Sequence, residues 1–218
     1  MGRRGRLRLA VLISGRGSNM LAVARACASG RLDAEITLVL SDHSDAAGLA
    51  TASAQGLATR AIGAASREQF ESAAAAAIDA ASADLALLAG FMRVLSADFV
   101  TLYAGRLLNI HPSLLPSHKG LHTHRRALRA GDREHGASVH FVTAELDGGP
   151  VICQVRVPVL PADTEQSLAA RVLTQEHRLY PFAVDLIAAG RLELRGSSIL
   201  LDGRELQAPL EIETDENS

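Results

Sequence analysis

Leu7-Arg8-Leu9-Ala10-Val11-Leu12-Ile13 leads straight into Ser14-Gly15-Arg16-Gly17-Ser18-Asn19. The short strand-length run, apolar from Leu9 to Ile13, stops at a glycine turn, and helical composition (Asn19 to Ser29) follows. Both faces of such a run are apolar, which marks a strand covered by helices on each side. The same unit recurs. Strands are expected at Ile36 to Leu40, Leu57 to Ile62, Leu85 to Ala89 and Arg106 to Ile110, with helices at Asp45 to Gln55 and Ser66 to Ala80 between them. Ser66 is the expected cap of the second of these helices. Short apolar strands alternating with helices imply an α/β, Rossmann-like, mostly parallel twisted sheet with helices on both faces.

The pattern changes after Pro112. Residues 112–124 are rich in Pro, Ser, His and Gly and read as a mobile polar loop, with a short helix near 125–130. Ala137 to Phe141 and Val151 to Val159 read as longer strands joined through Asp147-Gly148-Gly149-Pro150, a short connection that favours an antiparallel strand here. A long C-terminal helix starts at Asp163 or Thr164 and runs to Ala189, kinked or interrupted at Pro181. Arg191 to Leu201 reads as a hairpin.

Composition narrows the function classes. The 218 residues are 48% hydrophobic and 21% charged, which builds a core and excludes a disordered chain. Aromatics are 3% with no Trp, and the net charge is −2, so stacking platforms and basic phosphate-tracking surfaces are both missing. No nucleic-acid or membrane partner is expected, only small-molecule substrates, with a monomer or homodimer. Cys27 and Cys153 stand far apart and fit reduced thiols of a cytoplasmic protein. The basic start has no 7–15-residue apolar stretch of a signal peptide behind it.

Three loops can carry chemistry. In the glycine turn, the backbone can approach a ligand closely, and the helix that follows offers free N–H groups to a phosphate. The dinucleotide fingerprint is not met, because Met20 stands at its third glycine, and the chain's one Lys, Lys119, rules out a Walker loop. A plain turn capped by Ser18 or Asn19 is the competing reading. In Leu108-Asn109-Ile110-His111-Pro112, Asn109 and His111 project to the same side at a strand's carboxyl end. An amide beside an imidazole could hold an oxyanion and move a proton. A structural histidine is the alternative. Asp147 opens a Gly-Gly-Pro turn; as a carboxylate near His111 it would favour the charged imidazole and orient the ring. Five of eight histidines lie between His111 and His135, yet His122-Thr123-His124 has no metal-ligand pattern around it, and no metal is expected.

These blocks occur in the order of a known family. Ile13 to Asn19, Leu88-Ala89-Gly90-Phe91-Met92-Arg93-Val94-Leu95, Leu108 to Pro116, Gly120 to His124, Val139 to Ile152 and Thr174-Gln175-Glu176-His177 resemble the phosphoribosylglycinamide formyltransferases. The likeness spans about residues 7–193. It implies formyl transfer from 10-formyltetrahydrofolate, a co-substrate, to the glycinamide amine of phosphoribosylglycinamide in purine biosynthesis. It assigns Gly17, Ser18, Asn19 and Glu176 to the nucleotide. To the folate it assigns Arg67, Met92, Arg93, Val94, Leu95, Asn109, Ala144, Glu145, Leu146 and Asp147, with Arg67 placed across a segment shorter than in bacterial relatives. Asn109, His111 and Asp147 form the implied catalytic set. The expected organisation is a disordered arm at 1–6, one domain at 7–203 with a nucleotide half at 7–110 and a folate and catalytic half at 111–203, and a tail at 204–218.

Formyltetrahydrofolate hydrolase shares the Asn, His and Asp but carries an added N-terminal domain, and about six residues precede the first strand here. A methionyl-tRNA formyltransferase would need a further C-terminal RNA-binding domain. A non-catalytic nucleotide-binding module would leave Asn109, His111 and Asp147 without a use.

Overall fold

A computed structural model describes residues 5–213. The expected arm and tail fall partly outside these, at residues 1–4 and 214–218. Strands β1 (Leu7–Ile13), β2 (Ala34–Ser41), β3 (Thr59–Ala61), β4 (Leu85–Leu88) and β5 (Leu107–His111) alternate with helices α1 (Ser18–Ala28), α2 (Ala47–Ala54), α3 (Arg67–Ala80) and α4 (Ala97–Leu102). Then come α5 (Thr123–Ala130), β6 (Glu134–Phe141), β7 (Val151–Pro158) and α6 (Glu165–Ala188). The chain ends in β8 (Leu192–Arg195), β9 (Ser198–Leu201), β10 (Arg204–Glu205) and β11 (Leu210–Glu211).

The main sheet has the order β11-β7-β6-β5-β4-β1-β2-β3. Strands β1 to β5 pair in parallel, β6 runs antiparallel to both β5 and β7, and β11 joins β7 in parallel. One strand is therefore reversed in an otherwise parallel sheet. The chain winds outward in both directions from β1 and β4, so the crevice at their carboxyl ends is where such a sheet accepts ligands.

Period-2 alternation sorts the core. Leu7, Leu9, Val11 and Ile13 of β1 pack with α1 and α6 on one face. Ala10 and Leu12 pack on the other with Phe70, Ala74 and Ile78 of α3 and Phe99 and Val100 of α4. Burying each Leu or Phe of this kind contributes roughly 1.5–3 kcal/mol, which holds the strand ends rigidly under the site.

Ser66 caps α3 through the Gln69 N–H as its sequence suggests, and Thr164 caps α6 in a reciprocal box with Ser167. Helix α6 is not interrupted at Pro181; it is continuous over 24 residues. Its buried face, Leu168, Val172, Leu179, Tyr180 and Val184, belongs to the main core, and that packing outweighs one missing backbone hydrogen bond. Tyr180 reinforces it by donating toward the Leu88 and Leu108 carbonyls, tying the helix to β4 and β5. Helix α4 has no counterpart in the sequence reading, because six residues are too few to show a helical period. Two short strands, β10 and β11, fall inside the stretch expected to be tail.

Candidate active site

The glycine turn closes β1 and opens α1. Gly17 is the N-cap, at φ 72°, with no side-chain cap hydrogen bond, so neither Ser18 nor Asn19 caps the helix they open. A Cβ at Gly17 would sit 3.1 Å from Met20 Cε and 3.2 Å from Gly48 Cα, and the positive φ would strain any other residue. The uncapped N–H groups are what an anion would use. Asn19 is buried and donates from Nδ2 to Glu176 Oε2 at 2.6 Å. The pair joins α1 to α6 and brings together two of the residues expected at the nucleotide. Burial pushes the Glu176 carboxyl above its ordinary range, partly opposed by the Asn19 hydrogen bond. Asn19 Oδ1 has no protein partner. A cleft of about 290 Å³ opens beside the turn, lined by Ser14, Gly15, Arg16, His43, Asp45, Ala46 and Ala47.

Across the crevice, the loop after β4 is stitched to this turn. The Ser14 N–H donates to the Gly90 carbonyl at 3.3 Å, and Ser14 Oγ accepts from the Met92 N–H at 2.9 Å. Further along, Glu71 accepts from the Ser96 N–H and hydroxyl. Phe91 stacks on Phe70, with centroids 5.6 Å apart. Arg67 is exposed at the start of α3, one turn from Phe70. Met92, Val94 and Leu146 are among the large apolar side chains left exposed in the described residues, and Leu121 is another. Three of them stand on the two loops assigned to folate, and unsatisfied apolar surface is what a flat conjugated ligand would cover.

The expected catalytic set does meet. Asn109 and His111 lie on β5, and β6 pairs with it so that His140 stands opposite Asn109 and Ser138 opposite His111. Asp147 sits in the left-handed region, at φ 47°, in the loop that returns from β6. Two residues on, the chain passes against β6 so closely that a Cβ at Gly149 would overlap the Phe141 carbonyl. That close approach turns the loop back and carries Asp147 over the strand ends. Its Oδ2 lies 3.5 Å from His111 Nδ1 and accepts from the Gly120 N–H at 2.8 Å, while Oδ1 lies 3.7 Å from His140 Nε2. His111 Nε2 is 3.1 Å from the His118 carbonyl, so a proton on either ring nitrogen has an acceptor.

His140 was not singled out in the sequence. Its Nδ1 donates to the Phe141 carbonyl at 2.9 Å, which leaves Nε2 to accept from Asn109 Nδ2 at 3.1 Å. Burial holds its pKa below the ordinary histidine value, so the neutral ring that this pattern requires is the favoured form. One Asn109 N–H is thereby fixed, and the second remains to donate into the site. The signal was the antiparallel register of β6 on β5, which no local pattern in the sequence specifies.

Loop 112–122 is anchored at many points. Leu115 donates to Ser138 Oγ, Gln154 Nε2 to the Leu115 carbonyl, and Ser113 Oγ to the Ser117 carbonyl. Among the described residues no group of three or more His, Cys, Asp or Glu could hold a metal ion, and no helix is long and apolar enough to cross a membrane.

Residues 7–184 match the formyl transferase family. The chain is 50% identical over 203 residues to the phosphoribosylglycinamide formyltransferase of Escherichia coli K12, covering 92% of this chain and 96% of that protein. It is 40% identical over 203 residues to the Haemophilus influenzae enzyme of the same name, covering 91% and 95%. The solved phosphoribosylglycinamide formyltransferase of Coxiella burnetii superposes with a TM-score of 0.89 at 45% identity, covering 94% of this chain and 99% of that one.

Proposed function

The chain belongs to the formyl transferase family, and from that membership we infer that it transfers the formyl group of 10-formyltetrahydrofolate to the glycinamide amine of 5'-phosphoribosylglycinamide. This is a step of purine biosynthesis, and the enzyme is a one-carbon group transferase. Its co-substrates are small molecules, and the cytoplasm is its compartment. The observation that carries the reading is 50% identity to a relative of that name along nearly the whole of both chains. The conjunction of Asn109, His111 and Asp147 at one strand end supports it.

The roles follow from chemistry. The amine attacks the formyl carbon, and a tetrahedral oxyanion develops. Asn109, held by His140, directs its free N–H to that oxygen, and protonated His111 adds a charge-assisted donor. Asp147 balances the imidazolium charge and orients the ring. The amine loses a proton and the departing folate nitrogen gains one, with His111 positioned to move it. Gly17, Ser18 and Asn19 take the phosphate on the α1 N-terminus, and Glu176 contacts the sugar or glycinamide part. Residues 92–95 and 144–147 enclose the folate, with Arg67 at the edge of that pocket.

The test is an assay of the purified protein with 10-formyltetrahydrofolate, with and without phosphoribosylglycinamide. Formyl loss that depends on the nucleotide, with formylated nucleotide as product, is expected. Formate release at the same rate without nucleotide would assign hydrolysis instead.

A further inference from the structure

Asp42 follows β2 immediately, and its side chain is only 4% exposed. One carboxylate oxygen, Oδ2, lies 3.3 Å from Arg93 Nε and 3.6 Å from Nε2 of the exposed His43. The other, Oδ1, is buried with no hydrogen-bond partner. A buried carboxylate served only by long contacts to one oxygen and left with an orphan on the other costs stability rather than supplying it. The chemistry at β5 does not use it, because β4 and β1 lie between β5 and β2.

What Asp42 does hold is Arg93. The guanidinium carbon lies 4.9 Å over the Phe70 ring, and Phe70 is stacked on Phe91 of the same loop. With Nε engaged by Asp42 and the fork laid on an aromatic face, the guanidinium is fixed in plane and direction. Its terminal Nη1 and Nη2 donate to none of the described residues.

We propose that Asp42 is a positioning residue for the folate co-substrate: by gripping Arg93 at Nε against Phe70, it presents the two terminal amino groups to a carboxylate or carbonyl oxygen of the bound folate. This rests on the assignment of residues 92–95 to folate. The grip needs an acceptor and not a charge. Asparagine at position 42 would keep a carbonyl acceptor for Nε and remove the orphan charge, whereas alanine would release Arg93.

Steady-state kinetics on the full chain test it. Asp42→Ala should raise the folate KM about 10-fold and leave kcat and the nucleotide KM within about twofold. Asp42→Asn should stay within about threefold of the parent. Arg93→Gln should raise the folate KM about as much as Asp42→Ala, and the double variant Asp42→Ala/Arg93→Gln should be no worse than Arg93→Gln alone. Should Asp42→Ala fail to fold, Asp42→Ser, too short to reach Nε, takes its place. Equal losses in Asp42→Asn and Asp42→Ala, additive losses in the double variant, or parallel changes in both KM values would overturn the inference. An unaltered folate KM in Arg93→Gln would overturn the folate assignment and this inference together. A raised folate KM in Arg93→Gln with none in Asp42→Ala would overturn the inference alone.

Discussion

Two histidine–aspartate clusters sit beside each other and engage their polar atoms differently. In one, His111 and His140 flank Asp147 at 3.5 and 3.7 Å. In the other, His118 pairs with Asp132 at 2.6 Å and His124 contacts His135 at 3.1 Å. The first cluster leaves its polar atoms imperfectly engaged: both Asp147 contacts to imidazole are long, and Asn109 keeps a spare N–H. In the second the side chains engage one another: His118 makes a short contact with Asp132 at the wall of an open cleft of about 290 Å³, and His118 and His124 both pack edge-on against His135. Residue type does not separate the two; the donors and acceptors left over for a ligand do. The clusters also touch, because the backbone of His118 supplies the carbonyl that faces His111 Nε2. The second cluster thus serves as scaffold for the first.

The sharpest way to break that division is to make the same change in both aspartates. Asp147→Asn keeps size and removes the charge beside His111, and kcat should fall about 10²-fold or more, about 3 kcal/mol of transition-state stabilisation. The KM values should change less. Asp132→Asn removes the partner of His118 on the scaffold side. It should lower thermal stability while kcat at pH 7.5 stays within about threefold. A comparable collapse of kcat in both variants would mean that the second cluster takes part in the chemistry.

A smaller effect is expected at His140, which separates what the sequence disclosed from what it could not. The parallel half was legible because most of its strands are short, largely apolar runs alternating with helical stretches; β1 has the bounds that Leu7 to Ile13 suggest, whereas β3 keeps only the exposed Thr59–Ala61 of the expected Leu57 to Ile62. Asn109 and His111 were legible because they are two residues apart on one strand. Asp147 was legible only as part of an ordered set of motifs, since a Gly-Gly-Pro turn by itself says nothing about which strand end it overhangs. His140 was not legible at all: it lies on another strand, and its meeting with Asn109 depends on the β5–β6 register. Asp42 was hidden for the same reason, its partner being 51 residues away. His140→Leu should free the Asn109 amide to rotate and lower kcat about 10-fold, with the nucleotide KM nearly unchanged. Full turnover in that variant would show that Asn109 is held by β5 alone and that the neutral imidazole has no part in aiming it.

The smallest effect on turnover, and a clear one on stability, is expected at His135. Burial and the neighbouring rings of His124, His118 and His111 hold its pKa at about 4 against an ordinary 6.5, with only Asp132 pulling the other way. The folded protein therefore favours the neutral ring, while the unfolded chain takes up a proton as pH falls below 6.5. Stability from this site is complete above 6.5 and is lost progressively as pH falls toward 4, for a total of about 3 kcal/mol. His124, also held low by burial, adds to the same acid slope. His135→Gln keeps an amide to meet His124 Nδ1 and cannot titrate. Denaturant melts across pH 7.5 to 4.5 should show a visibly flatter acid slope in this variant, and kcat at pH 7.5 should remain within about twofold. An unchanged slope would place the proton uptake elsewhere, whereas a large loss of kcat at pH 7.5 would erase the distinction between scaffold and site, because a ring that only packs and stays neutral has no proton to give to the reaction.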